Sequence, residues 1–197
     1  MSNTIYIIVG KTCSGKTTVM KNLEDFNFSK MITSTTREPR VGEVHGVDYF
    51  FKTKDEFEAN ISKNLFIEHL YQKGNYYGLG LDSLNSIKKN HSPYVILEGV
   101  GAKNAIDFIK THTNHNVVSI YFDISSDVAI NRLKERGDVD AEKRINDILT
   151  IENEWKDIVK FDYILNADDT IQNVSNKIIK IKNEQLKKTV HKKPTFK

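Results

Sequence analysis

Residues 5–18 read Ile5-Tyr6-Ile7-Ile8-Val9-Gly10-Lys11-Thr12-Cys13-Ser14-Gly15-Lys16-Thr17-Thr18. Five apolar residues run into a full match to the phosphate-loop pattern G-x-x-x-x-G-K-[ST], and Thr17, Thr18, Val19 and Met20 then open a helix. A strand, a glycine-rich turn and a helix start aim successive backbone N–H groups and a helix N-terminus at one anion. Gly10 and Gly15 let the backbone curl, the residues from Lys11 to Thr18 line a triphosphate, Lys16 reaches its β- and γ-phosphates, and the Thr17 hydroxyl holds Mg²⁺. The expectation is a chain that binds a nucleoside triphosphate.

The chain around this loop is that of a globular protein. Its 197 residues are 39% apolar and 28% charged, enough for one domain with insertions and a sizeable core. With 29 basic residues against 26 acidic ones, the charge is too balanced to call for a nucleic-acid partner. Much of the excess lies in a lysine-rich stretch after Lys177, opposed only by Glu184, and 189–197 reads as a flexible basic tail. The single cysteine, Cys13, excludes an internal disulfide and fits a reducing compartment. No stretch reads as a signal peptide or a membrane span, so a cytoplasmic location is expected.

Strand-like runs at 5–9, 94–97, 117–122 and 163–165 alternate with helix-period segments at 17–23, 102–110, 127–136, 142–160 and 171–188, with Ser126 and Thr170 as N-caps. That alternation predicts an α/β fold, a parallel sheet flanked by helices. Residues 34–80 break it: Tyr49-Phe50-Phe51, 65–71 and Tyr76-Tyr77 read as short strands around a helix opened by the capping box Thr53-Lys54-Asp55-Glu56. This predicts an inserted small subdomain at 34–80 in a single domain of 1–188, with core segments 1–33 and 81–188. A short charged interruption at 137–141 joins two arginine-bearing helices, as a lid over phosphates would.

Within the insert, 33–51 carries Arg37 and Arg40 around Pro39, several hydroxyls and Tyr49. Arginine's planar fork suits a phosphate dianion, and Pro39, Gly42 and Gly46 restrict and turn the backbone so that the two forks converge. Arginines on a polar loop are ordinarily just solvated. Beside a triphosphate site, a second phosphate site is what a phosphotransferase with a phosphorylated acceptor needs.

At this point the chain resembles the guanylate kinase family. The resemblance runs from about residue 5 to 169 and rests on T-T-R-E-P-R-x-G-E-x-x-G-x-D-Y-x-F at 35–51, Phe66-Ile67-Glu68, Asn75-Tyr76-Tyr77-Gly78, Arg132-Leu133-x-x-Arg136-Gly137 and Phe161-Asp162-Tyr163. It implies a nucleoside monophosphate kinase that moves the γ-phosphoryl of ATP, with Mg²⁺, to GMP or dGMP, working as a monomer or homodimer without membrane or nucleic acid. By resemblance, Arg37, Arg40, Tyr49 and Tyr77 hold the acceptor's phosphate, with Thr33, Ser34, Glu43 and Glu98 completing the monophosphate site. Glu68 accepts from guanine N1–H and N2–H₂, a donor pair that adenine lacks. Taken alone, Glu68 reads as a solvated strand-edge carboxylate. Lys16, Arg37, Arg132, Arg136 and Arg144 carry the catalytic positive charge, although Arg132 and Arg136 read alone are helix-surface ion-pairing residues.

Several positions depart from the family pattern. Thr33 stands where the family has a serine, and Leu79 replaces a hydroxyl residue. The segment Leu97-Glu98-Gly99-Val100-Gly101 keeps one carboxylate of two, leaving Glu98 to orient Mg²⁺-bound water. The third lid arginine falls near Ile148, with Arg144 one turn earlier on the same face, and the family's Asn-Asp reads Asn166-Ala167-Asp168-Asp169. Leu79 and Val100 predict a less polar base pocket. Two other readings stay open: a related phosphate-loop kinase with a different nucleotide acceptor, and a non-catalytic protein-binding module of the same fold. Cys13 reads either as a thiol activated by Lys11, Lys16 and the helix N-terminus or as a small bystander.

Overall fold

The apolar run at 5–9 lies in β1 (Thr4–Gly10), at the centre of a five-stranded parallel sheet. The structure, a computed structural model, describes residues 3–72, 74–137 and 141–191. After β1 come α1 (Lys16–Asn22), a 3-10 turn (Glu24–Phe26), β2 (Phe28–Lys30), β3 (Ser34–Thr35), β4 (Phe50–Phe51) and α2 (Lys54–Ser62). Next come β5 (Phe66–Gln72), β6 (Asn75–Gly80), α3 (Asp82–Asn85), β7 (Ser92–Ile96), α4 (Gly99–His112) and β8 (Asn116–Asp123). The chain closes with α5 (Ser126–Arg136), α6 (Ala141–Leu149), α7 (Ile151–Ile158), β9 (Tyr163–Asn166) and α8 (Ile171–His191).

The sheet order is β2-β7-β1-β8-β9, and the side chains of β1 alternate between its two faces. Tyr6 and Ile8 pack with Val19, Met20 and Leu23 near α1, Leu133 of α5 and Val174 and Ile178 of α8. Ile5, Ile7 and Val9 face the other way, against Ala102, Ala105, Ile106 and Ile109 of α4 and Trp155 of α7. This period-2 division is why β1 is apolar throughout: a central parallel strand is covered on both sides. From β1 the chain runs through α1 to the edge strand β2, and later crosses from β7 past β1 to β8, so the strand order reverses at β1 and the crevice at the C-terminal strand ends there is where such sheets bind ligands.

A second sheet, β4-β3-β6-β5, falls wholly within 34–80. Its α2 is started by the capping box, with Thr53 and Glu56 each accepting from the other's backbone N–H. Phe57 of α2 stacks on Phe66 and Tyr76, at 4.4 and 5.1 Å between ring centres. Those contacts tie the helix to the β5–β6 hairpin.

Several expectations change. The helix expected over 142–160 is two, α6 and α7, broken at Thr150 (φ −112°, ψ −90°). The Thr150 hydroxyl donates to Asn146 O at 2.7 Å, the local competition that makes threonine a poor interior helix residue. Ser125, not Ser126, is the N-cap of α5, accepting from Val128 N–H at 3.2 Å. Thr170 caps α8 as expected, accepting from Asn173 N–H. Strand β2 carries no sequence signal of its own and adds at the sheet edge. Helix α8 runs on to His191, so 189–191 is helix rather than tail, while 192–197 lies outside the described residues. Of the expected lid 137–141, Gly137 closes α5 in the left-handed region (φ 71°), and 138–140 lies outside the described residues.

Candidate active site

Gly10 ends β1 against β8 so closely that a β-carbon there would lie 2.6 Å from Phe122 O. Only glycine allows this approach, and the chain then turns through Cys13 (φ 60°) and Gly15 (φ 83°) into α1. Lys16 folds back over the loop, its Nζ donating to Gly10 O at 2.5 Å, Lys11 O at 2.7 Å and Ser14 Oγ at 3.2 Å. Burial pushes the Lys16 ammonium down to about 8, against the pull of the Glu152 and Glu98 carboxylates. A bound triphosphate would raise it again, since a neighbouring anion favours the charged form. Thr17 and Thr18 lie exposed in the first turn of α1.

Lys11 goes elsewhere. Its buried side chain donates to Ile124 O and to Ser126 Oγ, both at 3.2 Å, so this lysine braces the β8–α5 turn. Thr12 is also committed, its N–H and hydroxyl donating to the two Glu152 oxygens at 2.6 and 2.8 Å.

The loop opens onto a cavity of about 690 Å³ shared with the second sheet. Thr33, Arg37, Arg40, Tyr49, Glu68 and Tyr77 line its far side, and Arg132, Arg136 and Arg144 line it near the loop. Strand β5 gives Glu68, Leu70 and Gln72 to this wall at the alternate spacing of one strand face. Glu68 is 5% exposed, with Oε1 accepting from Leu79 N–H at 3.1 Å and Oε2 having no hydrogen-bond partner among the described residues. Burial, reinforced by the Glu98 charge and opposed by the Leu79 N–H, raises its carboxyl to about 7. Such an orphaned acceptor is costly without a ligand to satisfy it.

Arg37 is held by Glu43 through two 2.9 Å contacts and lies 5.6 Å from the Tyr49 ring centre. Glu43 Oε2 also accepts from Arg40 N–H, so this carboxylate shapes the arginine loop from outside the cavity. Burial above all keeps the Tyr49 phenol protonated to higher pH than usual. Ser34, buried in β3, does not line the cavity. Arg132 donates to Asp168 at 2.9 Å and, at 3.5 Å, to the Cys13 carbonyl.

The guanylate kinase family model matches residues 2–190. The chain belongs to the guanylate kinase family. It is 33% identical over 187 residues to the guanylate kinase of Oceanobacillus iheyensis, covering 93% of this chain and 89% of that one. To the guanylate kinase of Mycoplasma genitalium it is 34% identical over 166 residues, 82% of this chain and 68% of that one. The crystal structure of guanylate kinase from Anaplasma phagocytophilum superposes with a TM-score of 0.68 at 24% identity, covering 93% and 86% of the two chains, and so shares the fold. Membership makes the chain an ATP-dependent nucleoside monophosphate kinase.

Against the guanylate kinase pattern, the departures sort themselves in space. Leu79 is fully buried in the core beneath the second sheet and Val100 is half-exposed outside the cavity, so neither makes the base pocket less polar. Glu98 lines the cavity and accepts from Gln72 Nε2. Sequence reasoning missed Gln72 on the cavity wall, and Gly101 and Glu152, which touch Glu68 and Thr12 from behind it. Gln72 was readable from its alternate spacing with Glu68, whereas nothing local marked Glu152. Cys13 is half-buried and packs against the core cluster under α1. No helix among the described residues is long and apolar enough to cross a membrane.

Proposed function

We propose that this guanylate kinase family member transfers the γ-phosphoryl group of ATP to GMP or dGMP, giving ADP and the guanine nucleoside diphosphate, in the cytoplasm and as a monomer or homodimer. The observation that carries the acceptor is Glu68: a buried carboxylate with one satisfied and one orphaned oxygen, in the same cavity as the phosphate loop. Guanine's N1–H and N2–H₂ supply the donors it lacks, and adenine's edge does not.

In this reading the acceptor phosphate is held by Arg37, Arg40, Tyr49 and Tyr77, with Thr33 near the base and Glu43 fixing the arginines. A phosphate oxygen of the acceptor attacks the γ-phosphorus while the bond to the β,γ-bridging oxygen breaks. Lys16 and the arginines Arg132, Arg136 and Arg144 offset the charge on the transferring group, a transfer governed by positioning and electrostatics. The hard oxygens of the Thr17 hydroxyl and Glu98, both on the cavity wall, suit Mg²⁺, which is held by few protein groups together with substrate phosphates. Bound there, Mg²⁺ would neutralise phosphate oxygens.

A coupled assay of ATP with GMP, dGMP, AMP, CMP, UMP and dTMP tests this. Turnover confined to the two guanine nucleotides, with Lys16→Ala folded and more than ~100-fold slower in kcat, is the expected result. Equal use of AMP, or no turnover at all, would overturn the reading.

A further inference from the structure

The phosphate loop is held from outside by α7, which carries no arginine, and by α5, which carries Arg132. Glu152, at the start of α7, is 1% exposed, and both of its oxygens are taken by one residue, Thr12, whose N–H donates at 2.6 Å and whose hydroxyl donates at 2.8 Å. A carboxylate removed from water needs full pairing and nearby positive charge. Lys11 and Lys16 supply the charge, since the Glu152 carboxylate acts on both. The next loop residue, Cys13, receives Arg132 of α5 on its carbonyl. The Thr150 break between α6 and α7 is what separates the course of Glu152 from that of the arginine-bearing helix before it.

We propose that Glu152 is a positioning residue that fixes the shape of the phosphate loop by anchoring Thr12 to α7. The proposal rests on the ATP site assigned above. Thr12 N–H is then an anchor and not a phosphate donor, leaving phosphate to the N–H groups that open α1, which have no partners within the helix. Charge gives the role a signature. The carboxylate repels a triphosphate while it aligns the loop, so its neutralisation weakens the alignment needed in the transition state without weakening ground-state attraction for ATP. A residue that only stabilised the fold would show no such split.

Steady-state kinetics of the full chain with ATP and GMP decide it, with Glu152→Gln, Thr12→Val and the double variant. Wild-type turnover is measured first, since its absence would end the functional reading independently of this one. Glu152→Gln is expected to lower kcat by at least about fivefold with the KM for ATP unchanged or lower. Thr12→Val, which keeps the N–H and loses the hydroxyl, shifts the same way by less, and the double variant is no worse than Glu152→Gln, because one contact is lost only once. Trp155, the chain's single tryptophan, lines the same cavity three residues along α7, and its fluorescence gives ATP affinity without turnover. A smaller loss of kcat in folded Glu152→Gln, a weaker ATP affinity, or additive effects in the double variant would overturn the proposal. Should Glu152→Gln not fold, Thr12→Ser against Thr12→Val decides: a serine that keeps kcat where valine loses it supports the anchor, and equal behaviour overturns it.

Discussion

An ideal β-carbon on Gly101 would stand 2.8 Å from Glu68 Oε2 and 3.1 Å from Leu70 Cδ2, so the first turn of α4 leaves room for the Glu68 carboxylate only because residue 101 has no side chain. Gly101→Ala should displace the carboxylate rather than the backbone, since the nearest atom is the far end of a side chain. The expected outcome is a KM for GMP raised about tenfold or more, with the KM for ATP unchanged, checked by initial rates in both substrates. An unaltered KM for GMP would mean that Glu68 is not the base reader.

The pH dependence of the acceptor site follows from the Glu68 carboxyl, raised to about 7 chiefly by burial. Reading guanine N1–H and N2–H₂ requires the ionised form, so the KM for GMP should fall as pH rises through 7. Glu68→Gln should flatten that dependence, leaving only the second ionisation of the GMP phosphate, near ~6. Stability runs the other way. A folded-state value above the unfolded one means the contribution is full below the ordinary glutamate value and is lost as pH rises to about 7. Thermal melts should therefore show Glu68→Gln gaining on the wild type between pH 5 and 8, by up to about 3 kcal/mol.

Glu43 holds Arg37 through both oxygens and also takes Arg40 N–H, so it orders two arginines of the cavity wall, the ones proposed to hold the acceptor phosphate, without lining the cavity itself. Glu43→Gln should raise the KM of every monophosphate that is turned over by a similar factor, about fivefold, and leave the KM for ATP alone. A loss selective for one base would place Glu43 in the base pocket instead.

The two glycines of the phosphate loop are needed for different reasons, and alanine separates them. At Gly10 the new methyl would meet backbone, Phe122 O at 2.6 Å, and the destabilisation should be about 3 kcal/mol or more. At Gly15 there is open space, and only the left-handed φ of 83° opposes a side chain, a cost of about 1–2 kcal/mol. Calorimetry should then show Tm falling by about 10 °C for Gly10→Ala and by a few degrees for Gly15→Ala.

The phosphate loop, the Thr53–Glu56 capping box and the apolar β1 were legible because each is a local pattern whose chemistry repeats at short, fixed spacing. The same holds for Arg37, Arg40 and Tyr49, close neighbours on one turn-rich segment that also carries the family resemblance. Leu79 shows where local reading fails. Its position beside Tyr77-Gly78 suggested the base pocket, yet the pleat of β6 turns the side chain into the core and presents only its N–H to Glu68. Sequence by itself thus determined the fold class, the glycine-rich loop after β1 and the types of group that line the cavity beside it. Tertiary structure alone decided that Glu152 grips Thr12 across 140 residues, that Gln72 holds Glu98, and that Gly101 makes space for Glu68. Those pairings depend on how separate helices and strands pack against one sheet, and packing joins residues whose sequence positions carry no record of each other.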